Sequence, residues 1–341
     1  MGRCLQEDIM KRLLLTGASG LIGSHFLEHA LINTDWDIVC VASWQHKGSP
    51  ERIERALRDK PEWKNRVTVI THDLSTPFTE MTKKRLGTFE YIVNFSADSH
   101  VNRSIEDPVP FIHNNVGIAT TMLEFARETK PEKFIQISTD EVYGAAPLGH
   151  NHKEWSPILP SNPYSASKAC QEAIAISYWR TYVVPVILTN TMNNFGETQD
   201  KEKFTAMIID LTLKGESIPI HGTEDNIGSR FYLHARNHAD AVLFILRNTE
   251  PTMYYDSPDV MMPDRYNVCG DRELNNLELA QMVAKMMGKE LKYHFVNFHA
   301  TRSGHDRRYA LDGSKLRELG WNPPMDLETS MQRYINWTLN K

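Results

Sequence analysis

The chain has 341 residues, of which 41% are apolar and 24% charged, and its formal charge is −5. These are globular proportions, and the length exceeds what one small core serves, so one large domain with an appendage or two domains sharing a cleft is expected. The negative balance gives no long-range attraction to nucleic acid or anionic lipid, and no apolar run nears the roughly 18 residues of a membrane helix, so neither is an expected partner.

In chain order, Met1–Met10 is too polar for a signal peptide, and a soluble cytoplasmic protein is expected. The run Arg12-Leu-Leu-Leu-Thr-Gly-Ala-Ser-Gly-Leu-Ile-Gly23 starts apolar, breaks into glycines and resumes helical character through Ala30, which reads as strand, tight turn, helix. Apolar runs at Trp36–Val41, Val67–Ile70, Tyr91–Phe95, Phe134–Ile137 and Val186–Thr189 predict strands. Between them, Glu51–Arg58, Ile118–Glu128 and Ser165–Tyr182 predict helices. Alternating strands and helices imply parallel pairing through right-handed crossovers, which is the α/β, doubly wound, Rossmann-like parallel sheet. Past Asn190 the alternation loosens into the loop-rich stretches Thr198–Lys203 and Met253–Arg265 and a helical tail from Asn276. A Rossmann-like dinucleotide domain over 10–190 with 231–272, and a smaller, mostly C-terminal substrate domain over 191–230 with 273–341, are expected. Cys4, Cys40, Cys170 and Cys269 lack metal-ligand spacing and are expected to be inert thiols, with no metal site.

Three clusters carry chemistry. Gly17, Gly20 and Gly23 form a turn whose missing side chains let backbone amides and a helix N-terminus approach a pyrophosphate. The spacing alone is unspecific, but its place between the first strand and first helix is where a dinucleotide fold needs it. Tyr164 and Lys168 stand four apart on the helical stretch after Pro163 and so share a face. A lysine near a phenol lowers the phenol's pKa, letting the tyrosinate accept a hydroxyl proton while hydride leaves the same carbon; the bland alternative is an exposed surface pair. Ser138-Thr139-Asp140-Glu141 follows an apolar strand, at the edge where ligands sit in such sheets. In isolation the two carboxylates read as a solvated turn or a cap, but beside a hydride-transfer pair they supply the acid and base that an elimination requires.

The strings Ser138-Thr-Asp-Glu-Val-Tyr-Gly144, Asn162-Pro-Tyr-Ser-Ala-Ser-Lys168 and Thr189-Asn-Thr-Met-Asn-Asn-Phe-Gly196 resemble the dTDP-glucose 4,6-dehydratases of the extended short-chain dehydrogenase/reductase superfamily. Ser99-His-Val-Asn-Arg-Ser-Ile105 and Gly304-His-Asp-Arg-Arg-Tyr-Ala310 are similar to two further signatures, and the resemblance runs from about Lys11 to Trp337. It implies a hydro-lyase of deoxysugar biosynthesis, acting on dTDP-glucose or UDP-glucose, with NAD tightly bound and recycled. Tyr164 would deprotonate the 4-hydroxyl as hydride passes from C4 to NAD+, supported by Lys168 and Thr139. Glu141 would then take the C5 proton while Asp140 protonates the C6 hydroxyl, water would leave, and hydride would return to C6 to give a 4-keto-6-deoxy sugar.

For the cofactor, the resemblance implies Gly17, Gly20, Leu21, Ile22 and Gly23, then Asp73, Leu74, Ser96, Ala97 and Ser99, besides Tyr164 and Lys168. For the substrate it implies Ser99 and Thr139, then Arg230 and Arg302 at the two phosphates, with Asn190, Asn193, Lys203, Asn267 and His305 as their neighbours. A homodimer is implied as well, with Ile118–Glu128 and Ser165–Tyr182 available for its interface. Two departures stand out. Ala42, followed by Ser43-Trp44, replaces the aspartate that usually holds the adenosine ribose; no arginine follows directly to take a 2′-phosphate, so NAD stays favoured over NADP. His221 replaces a common tyrosine near the nucleobase, which leaves dTDP and UDP sugars both open. Rival readings are a 4-epimerase or decarboxylase of the same superfamily, a dehydrogenase that releases NADH, and a non-catalytic dinucleotide sensor. Asp140 and Glu141 argue against the first, and keeping all four residues argues against the last.

Overall fold

The computed structural model describes residues 10–45, 47–297 and 306–340. The first half alternates as the sequence predicts: β1 (Arg12–Thr16), α1 (Leu21–Asn33), β2 (Asp37–Ala42), α2 (Pro50–Ala56), β3 (Val67–Thr71), α3 (Glu80–Leu86), β4 (Tyr91–Asn94), α4 (Val101–Glu106), α5 (Pro108–Thr129), β5 (Lys133–Thr139), α6 (Pro163–Tyr182) and β6 (Val186–Thr191). The second half brings β7 (Asn193–Phe195), α7 (Phe204–Lys214), β8 (Ile218–Thr223), β9 (Asn226–Ile227), β10 (Ser229–His234), α8 (Ala235–Asn248), β11 (Asp264–Val268), β12 (Glu273–Asn275), α9 (Asn276–Met286) and β13 (Tyr293–Val296). Helices Ser314–Glu318 and Leu327–Leu339 follow.

Seven strands form one parallel sheet in the order β3-β2-β1-β4-β5-β6-β11. Leu13, Leu14 and Leu15 are all fully buried because helices cover both faces of the sheet. Leu13 and Leu15 pack with Phe26 and Ala30 of α1 and Val242 and Leu246 of α8, whereas Leu14 packs with Ile118 and Met122 of α5 and Trp179 of α6. Strand order reverses between β1 and β4, and ligands of doubly wound sheets bind in the crevice at such a switch point.

The second unit has two small sheets, β12-β10-β7 and β13-β8-β9, around a core that includes Phe195, Ile208, Ile220, Leu279, Val283 and Met331. Three details depart from the expected division. The helical tail is interrupted by β13, a four-residue run too short for its periodicity to separate strand from helix. β10 joins β7 and β12, not the large sheet. Leu316 and Trp321, assigned to the second unit, bury themselves in the core of the large sheet. Among the described residues no helix is long and apolar enough to cross a membrane.

Candidate active site

After β1 the chain turns at Gly17, whose φ of +71° lies in the left-handed region. A Cβ on Gly17 would lie 2.9 Å from the Phe95 carbonyl carbon, and one on Gly23 would lie 2.2 Å from the Gly17 carbonyl oxygen. Gly20 is the N-cap of α1 and makes no side-chain cap hydrogen bond, so the helix presents its first N–H groups bare. Such a cradle fits a pyrophosphate, and a dinucleotide could run from it along Leu21, Ile22, Asp73, Leu74, Ser96, Ala97 and Ser99, which line the same cleft. At the end of β2, Ala42 is buried and offers no carboxylate. Ser43 and Gln45 line the cleft there, with Gln45 Nε2 3.4 Å from Asp73 Oδ2.

The cleft, about 480 Å³, continues past the C-terminal end of β5 to the second unit. Asp140–Tyr143 form a 3-10 turn capped by Thr139, whose hydroxyl accepts the Glu141 N–H at 3.3 Å and donates to Asp140 Oδ1 at 2.8 Å. The pair is no solvated turn: Asp140 is buried, and burial together with the charge of Glu141 pushes its carboxyl up to about 7. Burial raises Glu141 too, opposed by the Asn162 amide, which donates to its Oε2 at 3.2 Å, and by the charges of Arg230 and Lys203. Asn162 also caps α6, accepting the Ser165 N–H at 2.9 Å, with Pro163 preset in the first turn. That cap fixes Tyr164 at the helix start and Lys168 one turn later.

The Tyr164 phenol hydrogen-bonds Thr139, but burial and then the charge of Glu141 hold it above its usual pKa. The lysine effect expected from the spacing is corrected here. Lys168 Nζ donates to the Ile137 carbonyl at 2.7 Å and to Gln171 Oε1 at 2.6 Å, so its ammonium is committed to β5 and its own helix. Burial lowers Lys168 to about 8, with Glu172 pulling the other way.

Of the remaining expected residues, Asn193, Lys203 and Arg230 line the cleft. Arg230 lies 4.4 Å above the Tyr309 ring and donates to the carbonyls of Ser229, Asp306 and Arg307, so it acts on the cleft as a charge. Asn190 and Asn267 do not line the cleft and are corrections. Both are fully buried in adjacent strands: Asn190 donates to the Thr139 carbonyl at 3.0 Å and to the Glu172 carboxylate at 2.8 Å, and Asn267 donates to the carbonyls of His152 and Asp312. Arg302 and His305 lie outside the described residues. His221 lines the far end with Phe204, Tyr232 and Asn276.

Sequence reasoning missed a buried polar relay. Thr16 donates to Asn94 at 2.6 Å, Asn94 to Gln136 at 2.9 Å and Gln136 to Gln171 at 3.2 Å, and Gln171 receives Lys168, which ties the glycine turn's strand to the lysine. Its signal was available: Asn94 and Gln136 are polar residues inside runs otherwise read as wholly apolar strands. The Glu172–Arg265 pair at 2.8 Å, with neither side chain exposed, carried no such signal.

The family model described as GDP-mannose 4,6-dehydratase matches residues 14–334. The low-salt glycan biosynthesis protein Agl12 of Haloferax volcanii is 33% identical over 327 residues, which cover 96% of this chain and 98% of that protein. A dTDP-glucose 4,6-dehydratase of Streptomyces antibioticus is 32% identical over 328 residues, covering 95% and 91%. Among solved structures, DesIV, a dTDP-glucose 4,6-dehydratase of Streptomyces venezuelae crystallised with NAD, gives a TM-score of 0.84 at 30% identity and covers 97% of both chains.

Proposed function

This chain belongs to the nucleotide-sugar 4,6-dehydratase family, and we propose that it converts a nucleotide-linked glucose, dTDP-glucose ahead of UDP-glucose, to the 4-keto-6-deoxy sugar with NAD as cofactor. The observation that carries this reading is the adjacent pair of buried Asp140 and half-buried Glu141, set beside Tyr164 and Thr139 in one cleft with the glycine cradle.

NAD, which the glycine cradle of Gly17, Gly20 and Gly23 would hold, would supply a hydride acceptor for C4 and a hydride donor for C6. Tyr164 accepts the 4-hydroxyl proton, and the Thr139 hydroxyl supports the developing ketone. A phenolate beside two anions would be costly, so a protonated Asp140 makes that step easier. The C4 ketone acidifies the C5 proton, which Glu141, steadied by Asn162, removes. Asp140 gives its proton to the C6 hydroxyl, the C6–O bond breaks and water leaves; Glu141 then returns a proton to C5. Lys203 and Arg230 supply positive charge toward the two phosphates, with Arg302 the further cation that the family resemblance assigns there, and His221 lines the end given to the base. The large sheet thus serves the cofactor and the second unit the sugar nucleotide. A cytoplasmic homodimer completes the reading, supported by the packed pair α5 and α6, beside which Val109 and Tyr182 remain exposed.

The test is incubation of the purified protein with dTDP-glucose and, separately, UDP-glucose, followed by mass spectrometry. Loss of one water without NADH accumulation supports the reading, and the faster substrate names the base. An isomerised sugar with no water loss would move the assignment to a 4-epimerase, for which the acid pair has no task.

A further inference from the structure

Glu197 is a buried carboxylate that the mechanism above does not use, yet three elements converge on it. Its Oε2 lies 2.9 Å from His25 Nε2 on α1 and 3.2 Å from His234 Nε2 at the end of β10, and its Oε1 accepts from Arg333 Nε of the C-terminal helix at 2.8 Å. Next to it Thr198 takes a φ of +71°, so the chain bends sharply where Glu197 is held.

Beyond this anchor the chain crosses toward the glycine turn. Arg52, itself buried, donates to the Thr198 carbonyl at 3.0 Å and to the carbonyl of Ser19, between Gly17 and Gly20, at 3.3 Å. Asp200 Oδ1 lies 3.4 Å from the same guanidinium. Glu202 Oε1 then reaches Lys47 Nζ at 3.2 Å and His100 Nε2 at 3.1 Å, one on each side of the dinucleotide half of the cleft. Ser19, Lys47, Arg52, His100, Asp200 and Glu202 all line that cleft. The segment is therefore fixed at its root by a buried anion and stitched at its far end to the loops around the pyrophosphate cradle.

We propose that Glu197 is a positioning residue that pins residues 198–203 across the glycine turn, and that the pinned segment retains the dinucleotide in the cleft between turnovers. The proposal rests on the cofactor part of the reading above and not on the identity of the sugar. A cycle that returns its own hydrogen needs a cofactor that stays bound, and a strap anchored in the core gives that retention without a covalent link.

The experiment measures release of NAD from the purified holoenzyme after transfer to NAD-free buffer, with no sugar present. Glu197→Gln keeps the shape and removes the charge, and it releases NAD about tenfold faster, the change lying in the dissociation rate. Excess NAD restores the dehydration activity that this variant loses on dilution. Glu202→Gln releases NAD about threefold faster, because its exposed ion pair with Lys47 is worth less, and raising salt speeds release from the unaltered protein by screening that pair. A Glu197→Gln protein with a lowered Tm but unchanged release, or with lost activity that excess NAD does not restore, overturns the proposal. If that variant does not fold, Glu202→Gln and the salt series decide: unchanged release in both overturns it. A protein that binds no NAD sinks both the proposal and the cofactor reading, whereas strapped NAD with no dehydration of any sugar leaves the proposal standing and removes only the substrate.

Discussion

The two ends of the cleft are built differently. At the dinucleotide end the pyrophosphate cradle is one continuous stretch of chain, from Gly17 to Gly23, in which side chains at Gly17 and Gly23 are excluded by contacts as short as 2.2 Å. The opposite end is assembled from Asn193, Lys203, His221, Arg230, Asn276 and Tyr309, which come from β7, β8, β10, α9 and the segments beside them. A backbone site tolerates little change and looks alike whatever the sugar, while a side-chain site can be retuned one residue at a time. Between them, Thr139, Asp140, Glu141, Tyr164 and Lys168 come from two short stretches, the end of β5 with the 3-10 turn that follows it and the start of α6.

The largest effect is expected at that junction. Glu141→Gln and Asp140→Asn should each cut water elimination by about a thousandfold with NAD content unchanged, measured as product mass against bound cofactor. Asp140→Asn should also raise the Tm above pH 7. The buried carboxyl's pKa, about 7, lies above its unfolded value, so its contribution to stability is complete below the unfolded value and lost as pH rises through 7; asparagine has no proton to lose there.

The backbone end should break next. Gly23→Ala puts a Cβ against the Gly17 carbonyl, and the purified variant should hold at least about tenfold less NAD. A third outcome concerns pH. If Asp140 gives its proton, kcat should decline above pH 7, by about tenfold per unit once well past it, and this limb should vanish in Asp140→Asn. Asn190→Ala sharpens the comparison at the border between the two ends. A residue that holds the Thr139 carbonyl should lower kcat by about tenfold with KM little changed, whereas a substrate ligand would raise KM. The smallest effect belongs to His221. His221→Phe should shift the dTDP-to-UDP preference by less than about tenfold, since the two bases differ by one methyl.

The same contrast explains what could be read from the amino-acid sequence. The glycine turn, the Tyr164/Lys168 spacing and the Thr139–Glu141 string are contiguous or one helical turn apart, and all line the cleft. Alternating apolar runs foretold the parallel sheet because both of its faces are buried. Asn190 and Asn267 misled because they belong to neighbouring strands, and which face of a wholly buried strand meets the ligand is a matter of packing. Lys168 stands at the expected place, but the partners of its ammonium, Ile137 and Gln171, depend on how α6 lies on β5. The Glu197 anchor joins residues as far apart as His25 and Arg333, and only the folded chain brings them together.

The most direct test of the central claim uses dTDP-glucose carrying deuterium at C4, with the product analysed by mass spectrometry after incubation with the purified protein. The account predicts loss of one water with the deuterium retained and moved to C6. Water loss with deuterium washed out or left on released NADH, or isomerisation with no water lost, would contradict it.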